Sequence, residues 1–165
     1  MIKVDRKEFK KNLSMMMLGA VVDGVTRSGR EITETVSKKA KENLESGGHN
    51  VTKTLFNSIN VGPVLKGNPQ RFMVMVDAPF AEYVEEGTGP AVGQPGYWIP
   101  KSLEILMWCH ERGIPYQRLK QHIYKHGTKG IHFMSNAVED TKSVSPEILA
   151  RNIKMSLKAV KNAMR

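Results

Sequence analysis

The sequence has a single cysteine, Cys109, among its 165 residues. One cysteine cannot form an internal disulfide, which excludes a disulfide-stapled scaffold and fits a reducing compartment. No apolar run approaches the roughly 18 residues that a membrane-spanning helix needs. The short run Met15–Leu18 follows charged residues and does not lead to a cleavage site. We therefore expect neither a secretory signal nor a membrane span.

Acidic residues are scarce toward the C-terminus. Residues 141–165 contain six basic side chains and one acidic one, Glu147, and so hold more than half of the net charge of +9. Such an excess permits contact with nucleic acid or another polyanion, although a solvated basic face is the commoner explanation. The composition is otherwise that of a globular protein with a real core, 40% hydrophobic and 25% charged. The length predicts a single domain, 1–165.

The hydrophobic pattern predicts an α+β fold, in which a long N-terminal helix and several shorter helices pack on a small antiparallel sheet. Apolar residues, among them Met16, Met17 and Ala20, recur at helical spacing over 5–45. The helix is long or broken, because glycines in this stretch allow a bend or a short break near 23–30. Residues 59–77 predict a β-hairpin whose second strand is buried on both faces.

Capping residues and glycines predict the elements that follow. A Gly/Pro-rich loop is expected over 87–100. Ser102 can cap a short helix that stops at Gly113, and Pro115 begins another that stops at Gly127. Ser145 and Pro146 then start a basic C-terminal helix, 146–165.

Patterns typical of catalysis or metal binding are mostly missing. His122 and His126 are four positions apart on a predicted helix, a spacing that suits zinc, but no acidic residue stands between them. Cys109 and His110 are helix neighbours that point about 100° apart, so they do not form a nucleophile–base pair. The sequence has neither a P-loop nor a G-x-S-x-G elbow. We predict that the protein is not an enzyme and has no catalytic residue, no metal and no cofactor.

The C-terminal helix places its basic residues on one stripe. At 100° per residue they fall within about an 80° sector; they are Arg151, Lys154, Lys158, Lys161 and Arg165. Apolar sectors flank the stripe on both sides, one with Leu157 and Val160 and a smaller one with Ile148 and Met155. A solvated face usually mixes both signs of charge. The stripe is therefore a candidate contact to a channel or a polyanion, and a solvated basic face stays open as the alternative.

Residues 78–88, A-P-F-A-E-Y-V-E-E-G-T, resemble the Y-A-x-Y-V-E-x-G-T segment of the tail-component family of tailed bacteriophages. Its members are called neck, tail-completion or head–tail joining proteins. Residues 52–59, T-K-T-L-F-N-S-I, are similar to the family's T-G-x-L-x-x-S-I, with a departure beside Thr54 where the family has glycine. Residues 123–137 are similar to I-x-x-x-G-T-x-G-x-x-F-x-x-x-A, and Trp108 also fits larger members. The resemblance covers roughly 5–140.

This resemblance implies a structural virion protein that forms a ring, favoured to be a hexamer, at the head–tail neck or at the top of the tail. It implies assembly in the host cytoplasm, no membrane, and head-completion or connector proteins and tail terminator or tube proteins as partners. Packaged DNA or the tape-measure protein in the channel are further candidates. A ring needs heterologous contacts, for which the candidate interface is Tyr83, Val84, Glu85, Glu86, Gly87 and Thr88. The alternative function is a small basic nucleic-acid-binding module.

Overall fold

A computed structural model describes residues 6–46, 53–65, 67, 70–78, 80–96, 98–99 and 101–164. The fold is α+β, as the sequence predicts, with a long N-terminal helix, shorter helices and small antiparallel sheets. The helices are α1 (Arg6–Ser46), α2 (Lys53–Ser58), α3 (Ala81–Glu86), α4 (Leu103–Glu111), α5 (Tyr116–His126), α6 (Phe133–Lys142) and α7 (Ser145–Ala163). The strands are β1 (Ile59–Val61), β2 (Val74–Val76), β3 (Gly87–Thr88) and β4 (Thr128–Lys129). β1 pairs with β2 and β3 with β4, both antiparallel.

The longest element is α1, which runs without a break from Arg6 to Ser46. Of the two predicted alternatives, a long helix or a broken one, the structure has the long helix, with no break near 23–30. A Cβ on Gly24 would stand only 2.8 Å from the Cα of Ile153, and one on Gly29 would overlap the ring of Phe72. These glycines make room for close neighbours, and the helix tolerates their cost of about 1 kcal/mol each.

The chain forms two compact units. The first consists of α1 up to Thr35, residues 63–73 and the chain from Asp140 onward. The second consists of residues 36–62 and 74–139. The single domain expected from the length stays a prediction.

In the first unit, α1 and α7 pack side by side in opposite directions. Glu31 of α1 contacts Arg151 of α7. Gly24 lies seven residues earlier in α1 and contacts Ile153, which lies later in α7. Small and polar side chains dominate the buried positions of the two helices within this unit; the buried side chains are Ala20, Ser28, Thr33, Ile148, Asn152 and Ser156. Short side chains allow the two backbones to approach closely, and the Ser28 hydroxyl donates to the Gly24 carbonyl at 2.7 Å.

The second unit is built on a hydrophobic core whose members lie far apart in the sequence. They are Val36, Ala40, Leu44, Leu55, Ile59, Ala78, Phe133 and Ala137. β1 lies over this core with Ile59 fully buried and paired to Val76. Met75 is 40% exposed, so the prediction that the second strand is buried on both faces is wrong. Alternate side chains point to opposite faces of a sheet, and the core covers one face only.

The helix boundaries follow the predicted caps. The Ser102 hydroxyl accepts a hydrogen bond from the Ile105 N–H at 3.3 Å, and α5 starts directly after Pro115. α7 starts at Ser145 with Pro146 in its first turn. The 87–100 stretch is more regular than the predicted loop, because it begins with β3 and a 3-10 helix, Gly89–Val92. The strand that pairs with β3 lies 40 residues further along the chain, so the sequence around residues 87–88 contains no sign of this pairing.

Candidate interaction surfaces

The apolar residues of the 78–88 segment pack in the core of the second unit. Ala78 is buried in the core, and Phe80, Ala81 and Val84 pack against it from one side. The apolar positions of the family-like motif are therefore packing positions. Val84, expected at a subunit interface, belongs to this group.

Glu85 caps the N-terminus of α6. Its Oε2 accepts a hydrogen bond from the Met134 N–H at 2.9 Å, and its Oε1 accepts from the Ser135 N–H at 2.8 Å and the Ser135 hydroxyl at 2.6 Å. The Glu85 carbonyl accepts from the His132 N–H at 3.1 Å. First-turn amides have no partner within their own helix, and the helix dipole favours a negative charge there. This side chain therefore holds α3 to α6.

Gly87 and Thr88 form the strand β3 and are both buried. Gly87 pairs with Lys129 and Thr88 with Thr128, whose hydroxyl lies 2.8 Å from that of Thr88. Gly127 has a φ of 70°, and a Cβ there would overlap the Thr88 carbonyl oxygen. The end of the 78–88 motif and the middle of the 123–137 motif thus pack directly against each other.

The six predicted interface residues consequently separate into two groups. Val84, Glu85, Gly87 and Thr88 are engaged within the fold. Tyr83 is 43% exposed and Glu86 is exposed, so these two lie where another subunit could reach them. The predicted interface stays a prediction, and its accessible part is smaller than the sequence indicated.

One cluster of possible metal ligands occurs among the described residues, and the sequence did not point to it. Ligand atoms of Glu85, Glu86 and His132 lie within 4.8 Å of one another. Glu85 already accepts hydrogen bonds from α6 with both oxygens, which accounts for its position without an ion. The rings of His122 and His126 stand 4.7 Å apart on the exposed side of α5. The absence of a metal stays a prediction.

The first residue of the predicted basic stripe of α7, Arg151, forms an ion pair with α1. The Arg151 guanidinium binds the Glu31 carboxylate, whose other oxygen accepts from the Asn152 side chain at 2.9 Å. The hydrogen bond from Arg151, followed by that from Asn152, lowers the pKa of Glu31 below its ordinary value. The same contact raises the pKa of Arg151. Arg151 is therefore bound to α1, whereas Lys154, Lys158 and Lys161 are exposed and Arg165 lies outside the described residues.

The three lysines border an open groove of about 610 Å³ between α1 and α7. We call it the α1–α7 groove, and it is lined by Leu13, Met17, Lys154, Leu157, Lys158, Val160, Lys161 and Met164. Sequence patterns did not reveal it, because a groove depends on which faces of two helices meet.

The part of α1 beside the groove exposes an apolar run. The exposed fractions are 60% for Met15, 47% for Met16, 47% for Met17 and 65% for Leu18. The helical spacing placed Met16 and Met17 with Ala20 on a packing stripe, and for the two methionines this is wrong. Ala20 is covered, whereas Met16 and Met17 border opposite flanks of the helix pair, and both flanks are open. Four consecutive apolar residues point in different directions around a helix, so they cannot all face its buried side. The run itself was the signal in the sequence that some of these side chains are exposed.

Comparisons with protein-family models, with curated proteins and with solved structures find no match for this chain. None of the described helices combines the length and the hydropathy that crossing a membrane requires.

Proposed function

We propose that the chain is a structural virion protein of a tailed bacteriophage. In this proposal it forms a ring at the head–tail neck or at the top of the tail, completes the tail and joins it to the head. The observation that supports the proposal is the convergence of the three family-like segments, which are separated in sequence but contact one another within one compact unit.

Each segment supplies residues that the others need. Leu55 and Ile59 of the first segment share a core with Phe133 and Ala137 of the third, and Val84 of the second packs against them. Three unrelated chance matches would have no reason to place their motif residues in mutual contact. The convergence therefore favours one inherited structural unit over three coincidences.

Glycines of the third segment fit closely against the second. A Cβ on Gly127 would overlap the Thr88 carbonyl oxygen, and one on Gly130 would overlap the Glu85 carbonyl oxygen. These motif positions are explained by packing and capping, so the signature is structural. This agrees with a role in assembly.

Surfaces of opposite charge favour assembly through a heterologous contact. Glu82 and Glu86 are exposed on α3, and Lys154, Lys158 and Lys161 are exposed on α7. A ring forms when one patch of a subunit binds a different patch of the next, and complementary charge directs such contacts. The same lysines favour the alternative, a small basic nucleic-acid-binding module, which would contact phosphates without reading sequence.

The test is deletion of the gene, complemented from a plasmid. We expect the deletion lysate to contain filled heads and separate tails, and the complemented lysate to contain joined, infectious particles with the chain in them. Joined and infectious particles that lack the chain would refute the proposal.

A filter-binding assay with a short DNA duplex tests the alternative function, a nucleic-acid-binding module. Binding with a Kd of about 1–100 μM at physiological salt, with no chain in purified particles, would favour the nucleic-acid module. Its affinity should fall steeply with salt concentration, because phosphate contacts release counterions.

A further inference from the structure

We propose that the α1–α7 groove binds an acidic amphipathic helix of a partner protein. This goes beyond the neck assignment, because it concerns the isolated chain and does not depend on where the protein acts. The groove lies between two helices, has an apolar floor and is bordered by positively charged side chains.

The floor of the groove is apolar and accessible. It is formed by Leu13 and Met17 of α1 and by Leu157, Val160 and Met164 of α7. Met17 and Met164 are each 47% exposed. This surface offers apolar contacts to a partner, and methionines adapt their shape to a bound partner.

The geometry suits a helix. α1 and α7 run side by side in opposite directions, so the space between them is a linear groove. An amphipathic helix can lie along such a groove and insert side chains spaced three or four residues apart, at i, i+3 or i+4, and i+7. The volume of about 610 Å³ has room for several large apolar side chains.

The charge of the rim selects an acidic partner. Lys154, Lys158 and Lys161 border the floor, and none of the described residues that line the groove is acidic. The opposite flank of the helix pair differs, because it is lined by the acidic Asp23 and the basic Arg27. That flank therefore does not favour a partner of either charge. A helix with glutamates or aspartates beside its apolar stripe would cover the floor and pair with all three lysines.

Two other anionic partners fit less well. A DNA duplex would pair with the lysines through its phosphates but would leave Met17, Leu157 and Met164 uncovered. An anionic bilayer is a flat surface, whereas this floor is recessed between two helices. Both remain outcomes of the experiment.

The experiment uses the full chain labelled with ¹³C at the methionine methyl groups. It is titrated with a synthetic acidic peptide of about five helical turns, with leucines on one face and glutamates beside them. The Met17 and Met164 resonances, assigned by Met→Leu substitutions, should shift with one common Kd. Met75 and Met107 are exposed, at 40% and 54%, do not line the groove and should not shift.

Charge reversal tests the rim. In the triple variant Lys154→Glu, Lys158→Glu, Lys161→Glu, affinity for the acidic peptide should fall at least about tenfold. A peptide with lysine in place of each glutamate should bind this variant better than the original chain. The control variant Lys53→Glu, Lys101→Glu, Lys125→Glu has the same net charge as the triple variant, changes exposed lysines that do not line the groove, and should bind like the original.

Two further probes complete the test. A peptide with serine in place of each leucine should bind much more weakly than the acidic peptide, because the floor is then unused. Far-UV circular dichroism must show that the variants are folded as the original is. The inference is refuted if the acidic peptide shifts neither Met17 nor Met164, or if both triple variants bind it equally. It is also refuted if a DNA duplex or phosphatidylglycerol vesicles bind at these lysines and the peptide does not.

Discussion

Gly127 offers the sharpest test of the contact between the two family-like motifs. It follows α5 with φ of 70° and ψ of −170°, a conformation that is essentially restricted to glycine. In the variant Gly127→Ala, the new Cβ would overlap the Thr88 carbonyl oxygen and stand 2.8 Å from the Ala91 nitrogen. These neighbours are backbone atoms, so no side-chain rotation can relieve the overlap.

The expected loss of stability has two parts. The unfavourable backbone conformation costs about 1–3 kcal/mol. Moving the backbone apart to admit the methyl group sacrifices the Thr88–Thr128 hydrogen bond and the β3–β4 pairing, at about 1 kcal/mol for each bond. We therefore expect Gly127→Ala to lower the free energy of unfolding of the second unit by about 4 kcal/mol.

Gly93→Ala is the matched control. Gly93 also has a positive φ, 74°, but its ψ is 16° and a Cβ there would meet nothing within 4 Å. The left-handed conformation alone should cost about 1 kcal/mol. The difference between the two variants measures the contact with Thr88 together with the less favourable backbone conformation of Gly127.

The assay is urea unfolding followed by tryptophan fluorescence. Trp98 and Trp108 both lie in the second unit, so the signal reports on that unit. With an m-value of about 2 kcal/mol/M, the midpoint should fall by about 2 M for Gly127→Ala and about 0.5 M for Gly93→Ala. Equal shifts for the two variants would refute the packing argument.

Three further results are expected. Glu31→Gln should destabilise the α1–α7 pair at pH 7, as measured by hydrogen exchange of the α7 amides. Because Arg151 and Asn152 lower the pKa of Glu31, that stabilisation is present above the ordinary value of 4.5 and is lost as the pH falls through the lowered pKa. A difference between the variant and the original that stays constant down to pH 3 would contradict this. Metal analysis of protein purified without chelator or affinity tag should find no stoichiometric zinc, and zinc that is lost on replacing His122 and His126 with alanine would overturn the prediction. On the proposed function, a hexameric ring, the assembled neck should contain six copies of the chain, and a count of three or twelve would contradict the hexamer.

The helix ends could be predicted because their signals are local. Ser102 accepts the Ile105 N–H as an N-cap, and Pro146 occupies the first turn of α7. Each of these interactions lies within four residues of the helix end. The choice between a long and a broken α1 could not be made from the sequence for the complementary reason, since Gly24 is explained by its contact with Ile153, far along the chain.

The candidate sites were harder to predict, since accessibility depends on distant neighbours. Glu85 resembled part of an acidic patch, yet its carboxylate is held by Met134 and Ser135, about 50 residues away. Arg151 resembled part of a basic stripe, yet it pairs with Glu31, 120 residues away. A charge pattern predicts the face on which a side chain lies and leaves open what the side chain binds.

The sequence by itself determined the fold class, the caps that end the helices and the concentration of positive charge in α7. These follow from backbone preferences and side-chain spacing within a few residues. Only the tertiary structure decided which residues of the 78–88 motif stay accessible and that lysines and methionines of two helices form one groove. The physical reason is that burial, close packing at Gly127 and the ion pair of Arg151 each depend on a second segment brought near by folding.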